Sequence, residues 1–514
     1  MSQAVSQAET PTPSYDELVA INRMQSQELE LLRFKLNQLL EGKYGKSSQK
    51  SYPDSPAQGN LFEPSLLGNE KEENEEEEYT EVAPHKRKRR SKKSIPEDLP
   101  VEVIEYAPEH THCECGCELG EFSRDTREEV EYRPARFFRR KHVVVYSSCP
   151  KCKTVYGGKT PVESRPVIPG AQVGPGFLSH VVVSKFSDSL PYYRQSQIYE
   201  RDGVFFPDKT LSRYGLTVAA LLEPIAKAIK QFLLEKRYLQ ADETHLDVLD
   251  SEKSHTCHCG RLWTLLDPLS SMTYYEYHPG RSQEAADAFL ESFNGTLQTD
   301  AYVCYDNYPG KHIGCMSHAR GYFVKAKKLA AKDSRHVINL IGRLYRIERG
   351  LKKTRAKLSD SKWFEKRHEI RQKLSAPILE ELRLYLIRIK DRWLLEEHPM
   401  TKAINYMLSR YQVFTAYLDD GLYEIDNNPI ERAIRPIAIG RRNWLFAGSD
   451  HGAKMAAVLL TVIQCCKMQG INPQQYLTDV LPRLADQGTK SLAGLTPLDW
   501  KQSKALSSTR HRSA

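Results

Sequence analysis

Residues 237–250 read RYLQADETHLDVLD, the first of three successive β runs. RLWTLLDPLS (261–270) and MTYYEYHPG (272–280) follow it, with loops between them, as in a β-meander. SQEAADAFLESF (282–293) then predicts a helix capped by Ser282. GTLQTDAYVCY (295–305) reads as a fourth strand and HIGCMSHARGYF (312–323) as a fifth.

The order of three strands, a helix and two further strands predicts an α/β core of the ribonuclease H-like type, with an antiparallel opening hairpin and a helical crossover. Its acidic residues are the candidate chemistry. Adjacent strand residues face opposite ways, so Asp242 and Glu243 cannot both serve one site. Asp300 ends the fourth strand, where ligand sites of α/β sheets collect. Asp306 falls later, in a YDNYPG turn, and reads as a turn former.

A third acid lies in DNNPIERAIRPIAIGRRNWLFAGS (426–449). Asn428 can cap a helix with Pro429 in its first position, which makes Glu431 either a capping-box residue or a ligand. Arg432, Arg435, Arg441 and Arg442 follow, with Trp444 among them. Pro436 predicts a break that turns Arg441, Arg442 and Trp444 back towards the acids. Two strand-borne aspartates and one helix-borne glutamate suit two-metal phosphoryl chemistry. Mg²⁺ (or Mn²⁺) takes oxygen ligands, and two such ions roughly 3.5–4 Å apart serve the attacking and leaving oxygens.

Between the fifth strand and Asp426, residues 322–418 are charged and helical in pattern, and predict an α-helical insertion in a core spanning 237–468. A helical tail follows at 469–514. Upstream, 166–236 reads as helices at 173–186, 191–202 and 209–236, either a spacer or a DNA-binding region using Arg194, Lys209 and Arg213. In 99–165, His112, Cys113, Cys115 and Cys117 precede a CPKC run with Cys149 and Cys152, a pattern that suits a Zn²⁺ knuckle on a β-hairpin. The first half-site stays open between His112 with Cys115 and Cys113 with Cys115 or Cys117. HTCHCG (255–260) reads as a hairpin loop.

Residues 1–45 carry a helix over 15–41, whose Leu18, Asn22, Gln25, Leu29, Leu32, Leu36 and Leu39 follow the 4-3 spacing of a coiled-coil seam. This predicts a homodimer or higher oligomer. Residues 46–98 read as a disordered linker with an acidic block followed by the basic run 85–93. The chain has 514 residues, 27% of them charged, and a net charge of +8, which points to a polyanionic partner. Eleven cysteines without a secretory signal suggest metal ligands or free thiols in a reducing cytoplasm. No apolar run approaches the ~20 residues of a membrane span.

Taken together, the segments resemble the transposase of the insertion-sequence-66 family, a DDE transposase. The resemblance rests on LEGKYGKSSQK, the knuckle ending CPKC, FSDSLPYYRQSQIYERDGV, ADET, LQTDAY, GCMSHAR and DNNPIERAIRPIAIGRRNWLFAGSDHGA. It implies that Asp242, Asp300 and Glu431 are the catalytic metal ligands, and it identifies Cys315 and His318 as part of a further motif near them. It also implies DNA cleavage at transposon ends, strand transfer into target DNA, nucleoid association and accessory proteins of the same element. Arg435, Arg441, Arg442 and Trp444 are then candidates for holding DNA. Two departures stand out: Ala301 replaces the usual glycine after the second aspartate, and the first half of the knuckle lacks C-x-x-C. The alternatives are a nuclease of the same fold that hydrolyses without joining, and an inactive zinc-knuckle DNA-binding protein.

Overall fold

The computed structural model describes residues 14–44, 137–142, 146–148, 155–157, 161–250, 256–291, 293–487 and 492–512. The chain divides into two compact units, 70–141 and the remainder. The charged linker and the knuckle residues His112, Cys113, Cys115, Cys149 and Cys152 lie outside the described residues, apart from neighbouring short strands β1 (Tyr146–Ser148) and β2 (Val155–Gly157), which pair antiparallel.

A five-stranded sheet forms the centre of the larger unit. Its strands are β3 (Tyr238–Leu249), β4 (Cys257–Asp267), β5 (Met272–His278), β6 (Thr296–Thr299) and β7 (Lys311–Gly314), in the order β5-β4-β3-β6-β7. β3, β4 and β5 form the antiparallel meander that the sequence predicts, while β6 and β7 run parallel to β3. Between β5 and β6 runs α5 (Gln283–Leu290), where the Ser282 hydroxyl accepts from Ala285 N at 3.3 Å, as its cap role requires.

Three expected strand boundaries are corrected. The fourth strand stops at Thr299, and Val303–Tyr305 is a 3₁₀ turn. The fifth stops at Gly314, after which α6 (Met316–Ala326) begins, so Cys315 and His318 sit in a helical first turn. Cys257–Gly260 belong to β4, paired with Leu246–Leu249, and are not a loop.

Helices α2 (Pro175–Phe186), α3 (Tyr192–Arg201) and α4 (Asp208–Leu234) match the predicted spans to within a few residues. Leu222, Ile225, Ile229 and Leu233 of α4 join Trp263 and Tyr275 of the sheet in one core, so α4 is packed on the sheet and is no free-standing spacer. The insertion is helical, with α7 (Ala331–Lys352), α8 (Asp360–Ile370), α9 (Ala376–Lys390), α10 (Pro399–Ser409) and α11 (Tyr411–Thr415); α7, α9, α10 and α11 bury a second core around Leu340, Leu344, Leu382 and Leu386. Then α12 (Asn428–Trp444) returns to the sheet, placing Ile430 and Ile434 against Leu266. α13 (Asp450–Met468) covers the open edge of β5. There Thr461 Oγ1 accepts from Tyr275 N at 3.0 Å, and the Cys465 thiol donates to Thr273 O at 3.1 Å. Edge amides that would otherwise invite pairing are thereby satisfied. α14 (Pro473–Gln487) and α15 (Pro497–Arg512) complete the chain.

The N-terminal helix α1 (Tyr15–Tyr44) has two working faces. Gln27 and Leu31 are buried, and the Gln27 amide donates to Arg392 O at 2.8 Å, docking α1 on the insertion. The seam residues Leu18, Leu29, Leu32 and Leu36 stay more than half exposed on another face.

Candidate active site

The parallel pairing of β3 and β6 creates the site. Gln240 sits opposite Gln298. Asp242 lies two residues beyond Gln240 on the same face of β3, and Asp300 directly follows β6, near enough for its charge to act on the Asp242 carboxyl. The strands carry the same pattern, Leu-Gln-x-Asp, at 239–242 and 297–300. Sequence reasoning missed this repeat, although it was legible.

The glutamines position the third acid. Gln240 Nε2 donates to Gln298 Oε1 at 2.8 Å and to Asp426 O at 3.0 Å, and Gln298 Nε2 donates to Glu424 O at 2.9 Å. Asn427 Nδ2 donates to Ala241 O at 3.1 Å. The strap 424–427 is thus tied across β3 and β6, and α12 starts where the strap ends. Asn427, not Asn428, is the N-cap residue, and it makes no side-chain cap bond. Instead Asp426 Oδ1 accepts from Asn428 N at 3.1 Å. Glu431 makes no capping-box bond among the described contacts. Its Oε1 stands 3.7 Å from His318 Nδ1, and its backbone N–H donates to Asn427 O.

The three acids share an electrostatic neighbourhood. Burial holds the Asp242 carboxyl well above the usual range, and the charges of Asp300, Glu243 and Glu431 push it further, against His318. Burial also raises Glu431, partly offset by His318, Arg435 and Arg432. Glu243 faces elsewhere, as strand alternation requires: it bonds to Arg281 and accepts from Tyr305 OH at 3.1 Å. Arg281 in turn stacks on the Tyr302 ring, 3.3 Å from its centroid. Asp306 pairs with Arg410 at 3.5 Å. Buried carboxylates with uncompensated charge, offering only oxygen, fit hard divalent ions.

Asp300 is fixed by its flanks. Tyr302 N donates to Asp300 Oδ1 at 3.0 Å, and Tyr406 OH donates to Asp300 O at 2.7 Å. Ala301 has φ +62°, the left-handed region that glycine adopts freely, at the position where the family resemblance implies glycine. Relief of ~1–2 kcal/mol of strain in Ala301→Gly is opposed by a more flexible unfolded chain, ~0.4–1 kcal/mol, and by the lost methyl burial, ~0.8 kcal/mol. Ala301→Gly is therefore expected to change stability by less than about 1 kcal/mol. Ala301→Val, β-branched where φ is positive, is expected to cost more than about 2 kcal/mol in urea denaturation.

α12 corrects two expectations. It runs unbroken through Pro436 to Trp444, with the Tyr275 hydroxyl donating at 2.7 Å to Ala433 O near the proline. The reversal falls at Leu445 instead, φ +62° and ψ −60°, where Phe446 N donates to Trp444 O at 2.8 Å in the strained hand of the γ-turn. Ala447 then bridges to Val248, fixing the helix end beside β3. Arg441 reaches Thr244 Oγ1 at 3.1 Å and the His245 carbonyl, bracing α12 on β3. Trp444 is partly buried against Gly440. Arg435 lies near Glu431, and Arg442 is exposed.

A cavity of about 740 Å³ lies at the start of β3, between Tyr238, Phe364, His368 and Leu422, and none of the three acids lines it. A site for a long polymer is an open surface, so this is no conflict. No helix among the described residues is long and apolar enough to cross a membrane.

The five-stranded core is thus mixed α/β, with a group of carboxylates gathered beside the ends of β3 and β6. Residues 170–455 match the Transposase IS66 family, residues 31–104 match a segment described as Transposase C of IS166 homeodomain, and 461–498 match the IS66 C-terminal element. The chain belongs to the IS66 transposase family. It is 30% identical over 430 residues to the uncharacterized protein y4jD of Sinorhizobium fredii, covering 79% of this chain and 81% of that one. A second uncharacterized protein of that organism, y4hP, is 30% identical over 451 residues, 82% and 78% of the two chains.

Proposed function

We propose that the chain cleaves DNA at transposon ends and joins the freed 3′-hydroxyl to target DNA, using Asp242, Asp300 and Glu431 on a ribonuclease H-like core. The observation that best supports this is that Asp300 and Glu431 both act on the buried Asp242 carboxyl, with Gln240 and Gln298 paired two residues before the two aspartates. The sheet order and strand directions support the fold reading. The three acids would hold Mg²⁺ or Mn²⁺, which when bound neutralises charge on the phosphate and activates the attacking oxygen. Arg435 and the exposed Arg442 are the side chains for backbone phosphates. Arg441 and Trp444 act one step back, by holding α12 against β3. The exposed seam of α1 supports assembly as a dimer, which would bring two ends together.

A strand-transfer assay with pre-cleaved ends tests the proposal. Joined product in Mg²⁺ is expected from the unaltered protein, and Glu431→Gln is expected to lower its rate by at least ~10³-fold. Hydrolysis without joined product would leave a nuclease, and undiminished joining by Glu431→Gln would remove that residue from the reaction.

A further inference from the structure

We propose that Cys315, His318 and Glu431 form a second metal site, for Zn²⁺ or a similar borderline ion, which shares Glu431 with the catalytic set. The sharing rests on the function proposed above; the site itself does not.

Cys315 is the N-cap residue of α6 and His318 lies one turn on, so the two point to one side of the helix. Glu431, in the first turn of α12, faces them. The thiol, an imidazole nitrogen and a carboxylate oxygen all lie within 4.8 Å of one another. His318 Nδ1 is sealed from solvent with no hydrogen-bond partner. An unsatisfied buried group of this kind costs roughly 1–3 kcal/mol, a penalty that a bound ion removes.

The donor set decides which ion. One sulfur, one nitrogen and one oxygen suit Zn²⁺, whereas Mg²⁺ takes oxygen and keeps its waters. Cys315 Sγ already accepts from Asn427 N at 3.2 Å, a contact that stabilises a thiolate ligand. Cys315 itself is fully buried, so entry is past His318, whose side chain is 29% exposed. Three protein ligands leave a fourth position open. An ion held here draws Glu431 towards α6 and away from Asp242 and Asp300, so Zn²⁺ competes with Mg²⁺ for one carboxylate.

Cobalt titration of the full chain tests this, in a Cys149→Ser/Cys152→Ser background that removes the CPKC thiolates. A thiolate-to-cobalt absorption band is expected, displaced by Zn²⁺ and lost when Cys315→Ser is added. Glu431→Gln is expected to weaken cobalt binding about 10–100-fold. No band in the background, or a band unchanged by Cys315→Ser, overturns the site. Should Cys315→Ser unfold by circular dichroism, His318→Asn replaces it, and a cobalt affinity unchanged in that variant equally overturns the site. Loss of joining in Glu431→Gln without any cobalt band sinks this site and leaves the catalytic reading standing. A cobalt band with normal joining by Glu431→Gln does the reverse.

Discussion

Asp300→Asn is expected to make the metal-free protein more stable while lowering cleavage and joining by at least ~10³-fold. Asp242 is held above the usual carboxylate range by burial and then, foremost among charges, by Asp300. At close range and an effective dielectric near 20, two like charges repel by up to about 4 kcal/mol. Partial exposure of Asp300 reduces this, so a gain of about 1–3 kcal/mol is expected near neutral pH. The sign follows from linkage: an acid whose folded value lies above its unfolded one costs stability as it ionises. Without metal, the wild type should therefore lose stability as pH rises above about 4, and Asp300→Asn should lose less. Mg²⁺ should raise the wild-type melting temperature strongly and that of the variant weakly. Equal stabilisation of both proteins by Mg²⁺, or a variant less stable than wild type, would show that Asp242 and Asp300 do not share an ion.

Arg367→Met is expected to destabilise the insertion by about 3–5 kcal/mol, the cost of stranding buried charges. Arg367 and Arg371 are fully buried on either side of Glu348, and Arg367 also bonds both oxygens of Glu424 at 3.1 Å. Burial raises Glu424, but Arg367 and then Lys352 outweigh it and hold the carboxyl at about 2. That value lies below the unfolded one, so the stabilisation is complete above about pH 4.5 and is lost as pH falls towards 2. The same change should lower joining, because the Glu424 carbonyl is one anchor of the strap that leads to Glu431. The exposed pair Arg383 and Glu380 is the control: Arg383→Met should leave the urea midpoint essentially unchanged. A urea midpoint unchanged in Arg367→Met would mean that the buried network does not hold the insertion.

Much of the core was legible because strand alternation and helix capping are local. The meander from 238 to 278 and the Ser282 cap follow from neighbours a few residues apart. The errors cluster where a local signal was outweighed by distant contacts. Cys315–Phe323 reads as a strand continuation, yet Asn427 N donates to the Cys315 sulfur and a helix starts there. Pro436 reads as a break, but burial of Ile434 and Ile437 on the sheet keeps the helix continuous, and the reversal moves to Leu445.

By itself the sequence determined the α/β class and the succession of strands and helices, and it singled out the three acids as candidates, since periodicity and short motifs carry those. Only the tertiary structure decided that Gln240 and Gln298 hold the 424–427 strap, that Glu431 turns to His318 in place of its own helix end, and that an orphaned imidazole nitrogen lies between Cys315 and Glu431. The physical reason is separation: these partners stand about a hundred or more residues apart in the chain. Pairing of that range is set by which buried polar groups must find each other once the sheet and the insertion have packed.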